Sequence, residues 1–286
     1  MALAEFDQIA DVYDDTRRAL DHETLKGIRE MLTKHGCHSI LEIGVGTGRI
    51  GIPLLRSGFE VAGADISRKM MEKARAKGME NLFLADGGKA PFAPKSFDAT
   101  LMAHVFHLLE DPMSVMAEAA RISRVGVLAL LRKRSGARGP WFWFYDGYNS
   151  LPSDDDVTRK FLEERRERFR KIFAKYGWNS DRSRRLRNWR REEEILETCP
   201  PDDLKVVSDV VVNDTLEERI ARFEKGGYSF VSRMPDEMRR EIINEMRAYA
   251  SSAIAQGVMQ PRHEIYRVAL WDSKRLLGTK PVQILP

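Results

Sequence analysis

Three glycines in a short loop are the strongest chemical signal in the sequence. The run Ile-Leu-Glu-Ile-Gly-Val-Gly-Thr-Gly-Arg ends an apolar stretch with Gly44, Gly46 and Gly48. Glycines permit a tight turn and let a ligand approach the backbone closely, as nucleotide and phosphate sites require. A dinucleotide-binding pattern G-x-G-x-x-G starting at Gly44 would need glycine at position 49, which is Arg49. The pattern here is E-x-G-x-G-x-G, and Glu42 begins it.

Acidic residues follow the next two apolar runs in register. The second run ends in Asp65, where a carboxylate can accept two hydrogen bonds from a ribose diol. The third ends in Asp86 and Gly87, where a carboxylate and a backbone N–H can bind the edge of an adenine. All these positions lie at the carboxyl ends of predicted parallel strands, where such sheets bind ligands. One acidic residue alone would indicate a solvated strand end, but their joint order and spacing favour a ligand site.

These residues need a sheet to bring them together, and the first half of the chain predicts one. Short apolar runs alternate with helical patterns, which indicates parallel βαβ units with right-handed crossovers. The predicted strands are Ser39–Ile43, Glu60–Ala64, Leu82–Ala85, Ala99–Met102 and Val125–Leu131. The predicted helices are Glu23–Lys34, Arg49–Ser57, Arg68–Lys77 and Met113–Ile122.

The second half combines longer helical patterns with two further strands. Helices are predicted at Val157–Lys175, after the capping box Thr215–Glu218, and from Pro235 to about Ser251. The last two strands are predicted at Asp203–Val212 and Glu264–Trp271. We therefore predict an α/β fold, a Rossmann-like, doubly wound, mostly parallel seven-stranded sheet with helical lid insertions.

Composition suggests three parts. Residues 1–135 are the predicted core and contain strands one to five. Residues 136–202 are predicted to form a helical, aromatic and basic lid insertion. Residues 203–286 are predicted to hold the last two strands with a helical insertion between them. The net charge of +4 conceals this division, because residues 159–191 hold 14 Lys and Arg against 4 Asp and Glu. The aromatic residues that open the insertion would either line a ligand pocket or dock the insertion on the core. They are Trp141, Phe142, Trp143, Phe144 and Tyr145.

Composition also excludes several classes of protein. A hydrophobic share of 43% is ordinary for a folded protein and excludes wholesale disorder. The longest apolar stretches, such as Val125–Leu131, are far shorter than the roughly 20 residues of a membrane-spanning helix. The first residues lack the pattern of a signal peptide. Two cysteines, Cys37 and Cys199, offer neither a disulfide framework nor clustered metal ligands, so we expect a cytoplasmic protein without a metal site.

Several runs around these residues carry a family resemblance. They are Leu41-Glu-Ile-Gly-Val-Gly-Thr-Gly48, Ala64-Asp-Ile-Ser67, Ala85-Asp-Gly87, Phe97-Asp-Ala-Thr100 and His104-Val-Phe-His-Leu-Leu-Glu-Asp-Pro112. Together they resemble the class I S-adenosylmethionine-dependent methyltransferases, of the group typified by ubiquinone/menaquinone-biosynthesis and trans-aconitate methyltransferases. The resemblance covers about residues 5–135, and a looser likeness runs through 215–250 and 263–271. It implies a methyltransferase with S-adenosylmethionine as cofactor and S-adenosylhomocysteine as product.

The resemblance implies a role for each matching residue at the methyl-donor end of the cofactor. Gly44, Gly46 and Gly48 would lie against its methionine part. Glu42 would fix the loop and reach the amino group through water. His104 would offer backbone contacts near the sulfonium.

Other matching residues are implied at the nucleoside end. Asp65 would hold the ribose, and Ile66 would pack on the adenine. Asp86 and Gly87 would bind the adenine. The N-terminal segment, which resembles one that folds over the cofactor, would close over the site with Tyr13 and Arg17.

The chemistry of methyl transfer asks little of the protein. The sulfonium is already a strong methyl donor, so the enzyme mainly aligns the acceptor and excludes water. A general base is needed only for a protonated acceptor such as an amine, phenol or activated carbon. His107 is the candidate base, with packing on the next helix as its alternative. No Asn-Pro-Pro-aromatic motif follows the fourth strand, which disfavours methylation of nucleobase amines, and no cysteine there supports a covalent mechanism.

We predict methyl transfer to a small-molecule acceptor by direct in-line displacement, in a monomer or homodimer. Six arginines near the end of the basic stretch leave three interpretations open: a solvated face with glutamate partners, attraction of an anionic small molecule, or binding of an RNA backbone. They are Arg182, Arg184, Arg185, Arg187, Arg190 and Arg191. The alternative functions are a tRNA methyltransferase that uses residues 159–191 and, since no base is obvious, a non-catalytic S-adenosylmethionine-binding protein.

Overall fold

The computed structural model describes residues 2–17, 20–135, 156–178, 192–212, 216–226, 231, 234–251 and 262–278. Its first half contains α1 (Ala2–Ile9), α2 (His22–Lys34), β1 (Ser39–Ile43), α3 (Gly51–Arg56), β2 (Glu60–Asp65), α4 (Arg68–Ala76), β3 (Leu82–Leu84), β4 (Phe97–Ala103), α5 (Pro112–Ile122) and β5 (Ser123–Ser135). The second half contains α6 (Asp156–Lys175), β6 (Asp203–Val212), α7 (Leu216–Glu224), α8 (Asp236–Ala250), β7 (Arg262–Asp272) and α9 (Ser273–Gly278).

The seven strands form one sheet in the order β3-β2-β1-β4-β5-β7-β6. The pairings of β1 with β2, β1 with β4, β2 with β3 and β4 with β5 are parallel. The amide of Asp202, just before β6, donates to the carbonyl of Leu270 near the end of β7 at 2.8 Å. Strand β7 is therefore antiparallel to β6. The predicted Rossmann-like, mostly parallel seven-stranded α/β fold is confirmed.

Both faces of the sheet are covered, which explains why its strands read as unbroken apolar runs. On β5, Val127 and Ala129 belong to a buried cluster that includes residues of α5. The alternate residue Leu128 belongs to a second cluster with Ile28 and Leu32 of α2. The chain moves outward from β1 to β3 and returns to β4 on the other side of β1. This reversal creates a switch point, where ligands of doubly wound sheets bind.

Short polar side chains cap the N-termini of helices that flank the sheet. Asp21 accepts a hydrogen bond from the amide of Thr24 at 2.9 Å and caps α2. Ser67 caps α4 in the same way. Among the described residues, three α-helical segments were not predicted: α1, α9 and residues 192–198. They are short, and contacts with distant residues hold them, so no long periodic pattern marks them.

The chain divides into two compact units. One consists of Met1–Lys133, Asn188–Asp209 and Ile265–Pro286, and it holds most of the sheet. The other consists of Arg134–Arg187 and Val210–Glu264, and it has its own buried core from α6, α7 and α8. The predicted aromatic cluster 141–145, the arginines 182–191 and Thr215 lie outside the described residues. The role of the second unit as a lid stays a prediction.

Candidate functional site

The glycine loop leaves β1 with three residues in the left-handed region. Gly44, Gly46 and Gly48 have φ values of +75°, +55° and +77°. The amide of Gly44 donates to the carbonyl of Ala64 at 2.8 Å, and a side chain at Gly44 would collide with Val105. A side chain at Gly46 would meet nothing within 4 Å. The loop is therefore packed where it leaves β1 and open at Gly46, where a ligand can reach the backbone.

Asp65 joins this loop to the next turn of the chain. Its Oδ2 accepts a hydrogen bond from the amide of Gly46 at 2.7 Å, and its Oδ1 accepts one from the amide of Ser67 at 2.8 Å. The side chain is half-buried, and burial raises the pKa of Asp65 above its ordinary value. Each carboxylate oxygen has two acceptor sites, so acceptor capacity remains for a ribose diol. Ile66, which lies between Asp65 and Ser67 in the sequence, is half-buried.

Glu42 is a buried carboxyl group beneath the loop. Only 3% of the residue is exposed, and burial raises the pKa of Glu42 to about 8, with the negative charge of Asp65 acting in the same direction. Within the part of the chain that the structure describes, its Oε2 accepts no hydrogen bond. Buried polar atoms normally have partners, so this oxygen fits a donor supplied by a ligand amino group or by water.

Asp86 and Gly87 form the turn after β3. Asp86 is exposed, and its Oδ1 accepts a hydrogen bond from the amide of Gly88 at 2.8 Å. A Cβ at Gly87 would lie 2.5 Å from Cγ2 of Ile43. The glycine therefore lets this turn pack against the end of β1, beside the glycine loop.

His104 follows β4 and takes a conformation that is rare for its type. Its φ is +56°, in the left-handed region that favours glycine. Its ring meets the ring of Tyr266 edge-on, with centroids 6.1 Å apart and an interplanar angle of 74°. Tyr266 lies in the first half of β7, and the contact with His104 places it at the carboxyl edge of β4. His107 lies in a 3-10 turn at Phe106–Leu108 and is half-buried.

The N-terminal segment also reaches the glycine loop. The guanidinium of Arg17 lies 4.7 Å from the centre of the Tyr13 ring, so the two predicted closing residues contact each other. Between them, Asp14 accepts a hydrogen bond from the hydroxyl of Thr47, inside the loop, at 2.5 Å. The structure thus brings the predicted N-terminal and loop residues together.

Sequence reasoning missed two residues at the same edge of the sheet, Tyr266 and Glu192. The carboxylate of Glu192 accepts a hydrogen bond from the amide of Arg132 at 2.7 Å, and burial raises the pKa of Glu192. Strand β5 extends beyond the end of β4, because Ala103 pairs with Leu130 and β5 continues to Ser135. No local pattern marked either residue, since their places depend on strand pairing across long stretches of chain.

The described residues also bear on metal binding and on membrane spanning. Among them, no group of three or more His, Cys, Asp and Glu side chains could hold a metal ion. None of the helices that the structure describes has the length and apolar character to cross a membrane.

Comparison with known proteins agrees with this geometry. Residues 41–131 match the model of a methyltransferase domain, and this range runs from β1 through β5. A demethylmenaquinone methyltransferase of Tropheryma whipplei is 29% identical over 174 residues, which are 56% of this chain and 73% of that enzyme. The demethylmenaquinone methyltransferase of Thermotoga maritima is 32% identical over 138 residues, 46% of this chain and 60% of that one.

Residues 41–131 are a class I S-adenosylmethionine-dependent methyltransferase domain. A solved structure supports the fold of this methyltransferase over most of its length. A putative methyltransferase from an antibiotic biosynthesis pathway of Anabaena variabilis superposes with a TM-score of 0.57 at 15% identity, covering 88% of this chain and 98% of that one. The methyltransferase is an enzyme that uses S-adenosylmethionine as its methyl donor.

Proposed function

We propose that the methyltransferase transfers the methyl group to a small-molecule acceptor by direct in-line displacement. The observation that carries this proposal is the arrangement at the switch point. An open glycine loop is held by Asp65 above a buried carboxyl group, Glu42, with an unsatisfied oxygen. The cofactor supplies an electrophilic methyl group, and the protein's task is to hold donor and acceptor in line and exclude water.

Each predicted contact has a place in this arrangement. The backbone at Gly46 would face the methionine part, and Glu42 would accept from its ammonium group directly or through water. Asp65 would hold the ribose diol. Asp86 and Gly87 would bind the adenine, with Ile66 packed on its ring. These roles are proposals supported by the positions of the residues around one loop.

The acceptor would enter beside His104, at the end of β4. The edge-on pair of His104 and Tyr266 gives this side of the site an aromatic character. Two relatives at 29% and 32% identity are named demethylmenaquinone methyltransferases, which supports an aromatic acceptor such as a reduced naphthoquinone. A ring carbon or hydroxyl of such an acceptor loses a proton, and His107 is the proposed base, with Glu192 as a second candidate. A cytoplasmic location stays a prediction, and it suits two buried, unpaired cysteines.

The described part of the basic stretch favours the small molecule over RNA. Lys175 of α6 lies 2.5 Å from Glu241 of α8, and Arg168 lies 3.7 Å from Glu245. These cations already have acidic partners within their own unit. An RNA backbone would have to compete with those carboxylates, which weakens the electrostatic argument for an RNA substrate.

A radiolabel assay tests the proposal. Purified protein is incubated with S-adenosylmethionine carrying a labelled methyl group and with separate acceptors: a reduced demethylated naphthoquinone, a polycarboxylate and bulk tRNA. Label transferred to either small molecule supports the proposal and eliminates the non-catalytic alternative. Label found in tRNA alone contradicts it. Calorimetry with S-adenosylhomocysteine measures cofactor binding independently of any acceptor.

A further inference from the structure

Three aspartates of the N-terminal segment face α4 or the glycine loop. Asp7 accepts a hydrogen bond from the hydroxyl of Ser67 at 2.5 Å. Asp11 lies 2.5 Å from Lys73, with both side chains largely exposed. Apolar contact supports the attachment, because Ile9, Ala10 and Met70 form one buried cluster. The whole segment therefore lies along α4.

The third aspartate, Asp14, differs because it reaches the glycine loop itself. One carboxylate oxygen accepts from the hydroxyl of Thr47 at 2.5 Å, and the other accepts from Nζ of Lys77 at 2.6 Å. Thr47 is 1% exposed and lies between two loop glycines. Although burial acts to raise it, the pKa of Asp14 is lowered by the hydrogen bonds from Lys77 and Thr47. Asp14 is therefore an ionised link among three segments.

We propose that Asp14 is a positioning residue of the cofactor site, which latches the N-terminal segment onto Thr47 and so retains the bound cofactor. This inference rests on the proposed placement of S-adenosylmethionine at the glycine loop. The loop is then held from two sides: the carboxylate of Asp65 holds the amide of Gly46, and Asp14 holds the next side chain. Tyr13 and Arg17 flank the latch, so releasing Asp14 frees the residues proposed to close over the cofactor.

The N-terminal segment is too short to hold its position without contacts to the rest of the protein. Helix α1 has only 8 residues, and isolated helices of this size are marginal in water. Its position therefore depends on contacts with α4 and the loop rather than on its own stability. The hydrogen bond from Thr47 to the carboxylate of Asp14 is charge-assisted, and such a bond is stronger than a neutral one.

Cofactor release is the direct test. In stopped-flow measurements of S-adenosylhomocysteine dissociation, Asp14→Asn and Thr47→Val should each release the product about tenfold faster than the native protein, the scale of one charge-assisted hydrogen bond. The double variant should be no faster than the faster single variant, because one change weakens and the other removes the same bond. Asp11→Asn is the matched control and should release at the native rate, since exposed ion pairs contribute little. Native release from Asp14→Asn, or rates that multiply in the double variant, would overturn the proposal.

Limited trypsin digestion tests the latch without any ligand. Cleavage after Arg17 should be faster in Asp14→Asn than in the native protein and in Asp11→Asn, with thermal melting showing that all three are folded. Thr47→Val, which removes the donor of the latch bond, should give the same acceleration as Asp14→Asn, which covers the case in which that variant does not fold. Equal cleavage rates would overturn the latch even where the native protein binds S-adenosylhomocysteine normally. A native protein that binds no S-adenosylhomocysteine would contradict the proposed function instead.

Discussion

Two aspartates at opposite edges of the sheet have pKa values that are shifted in opposite directions. Asp98, at the start of β4, accepts hydrogen bonds from the amides of His38 and Ser39 at 2.9 Å and pairs with Arg124. Burial opposes them, but these bonds hold the pKa of Asp98 well below its usual range. Asp65, at the carboxyl edge, has its pKa raised by burial. The first carboxylate is fully engaged in holding strands together, and the second keeps capacity for a ligand.

Asparagine substitutions should separate these two roles. Asp65→Asn should weaken S-adenosylhomocysteine binding about tenfold or more, because its NH2 group must face the amide of either Gly46 or Ser67 and it offers the ribose a poorer acceptor. Asp98→Asn should leave that affinity unchanged while lowering the free energy of unfolding by about 1–3 kcal/mol. Calorimetry and urea unfolding of both variants measure the two effects. Equal affinity of both variants for the product would contradict our site.

Glu42 should make stability depend on pH. Its folded-state pKa of about 8 is above the ordinary 4.5, so between these values the folded protein binds a proton that the unfolded chain has lost. Stability from this group is thus full at low pH and declines as pH rises through that window, by at most about 1.4 kcal/mol per pH unit. Glu42→Gln removes the titration.

The measurement is urea unfolding of native protein and Glu42→Gln at several pH values between 4.5 and 8. The free energy of unfolding of the variant, measured relative to that of the native protein, should increase as pH rises. Both proteins share all other titrating groups, which therefore cancel in the difference. A difference that stays constant with pH would show that Glu42 is ionised throughout.

At the scale of elements, β2 and the glycine loop pack without space for a further methyl group. A Cβ at Gly63 would lie 2.8 Å from Cβ of Val45 and 2.7 Å from one of its methyl groups. Gly63→Ala should therefore move the loop, lowering the free energy of unfolding by about 1–3 kcal/mol and weakening cofactor binding. Gly278→Ala, at the end of α9 where a Cβ meets nothing within 4 Å, should change neither quantity. Chemical unfolding and calorimetry check both variants, and a native-like Gly63→Ala would contradict this packing.

The sequence predicted most elements because burial on both faces makes each parallel strand a continuous apolar run. Strand β1 begins and ends at the predicted residues, whereas the helix predicted from Arg49 begins at Gly51, since the loop takes the first two residues. The glycines and acidic residues of the site were predictable from their order along the chain. Tyr266 and Glu192 were not, because only the pairing of β5 and β7 and the placement of residues 192–198 bring them to this edge.

At the scale of the whole molecule, the net charge is a poor guide to partners. The excess of cations lies in residues 159–191, and the rest of the chain totals −6. Helix α6 lies in the described part of that stretch. Its cations pair with carboxylates of α8, as Lys175 does with Glu241 at 2.5 Å. Exposed pairs of this kind contribute little to stability but reduce the positive charge available to another anion.

Binding to nucleic acid should therefore be absent at physiological salt. Filter binding of the native protein to bulk tRNA across a salt series measures it, because contacts with a phosphate backbone would give an affinity that falls steeply as salt rises. Glu241→Gln is the informative variant: freeing Lys175 from its partner should raise any residual low-salt retention rather than lower it. A steep salt dependence of native binding that Arg184→Gln and Arg187→Gln reduce would reverse our preference. It would make residues 159–191 the electrostatic footprint of an RNA methyltransferase, and the small-molecule acceptor would then be the wrong choice.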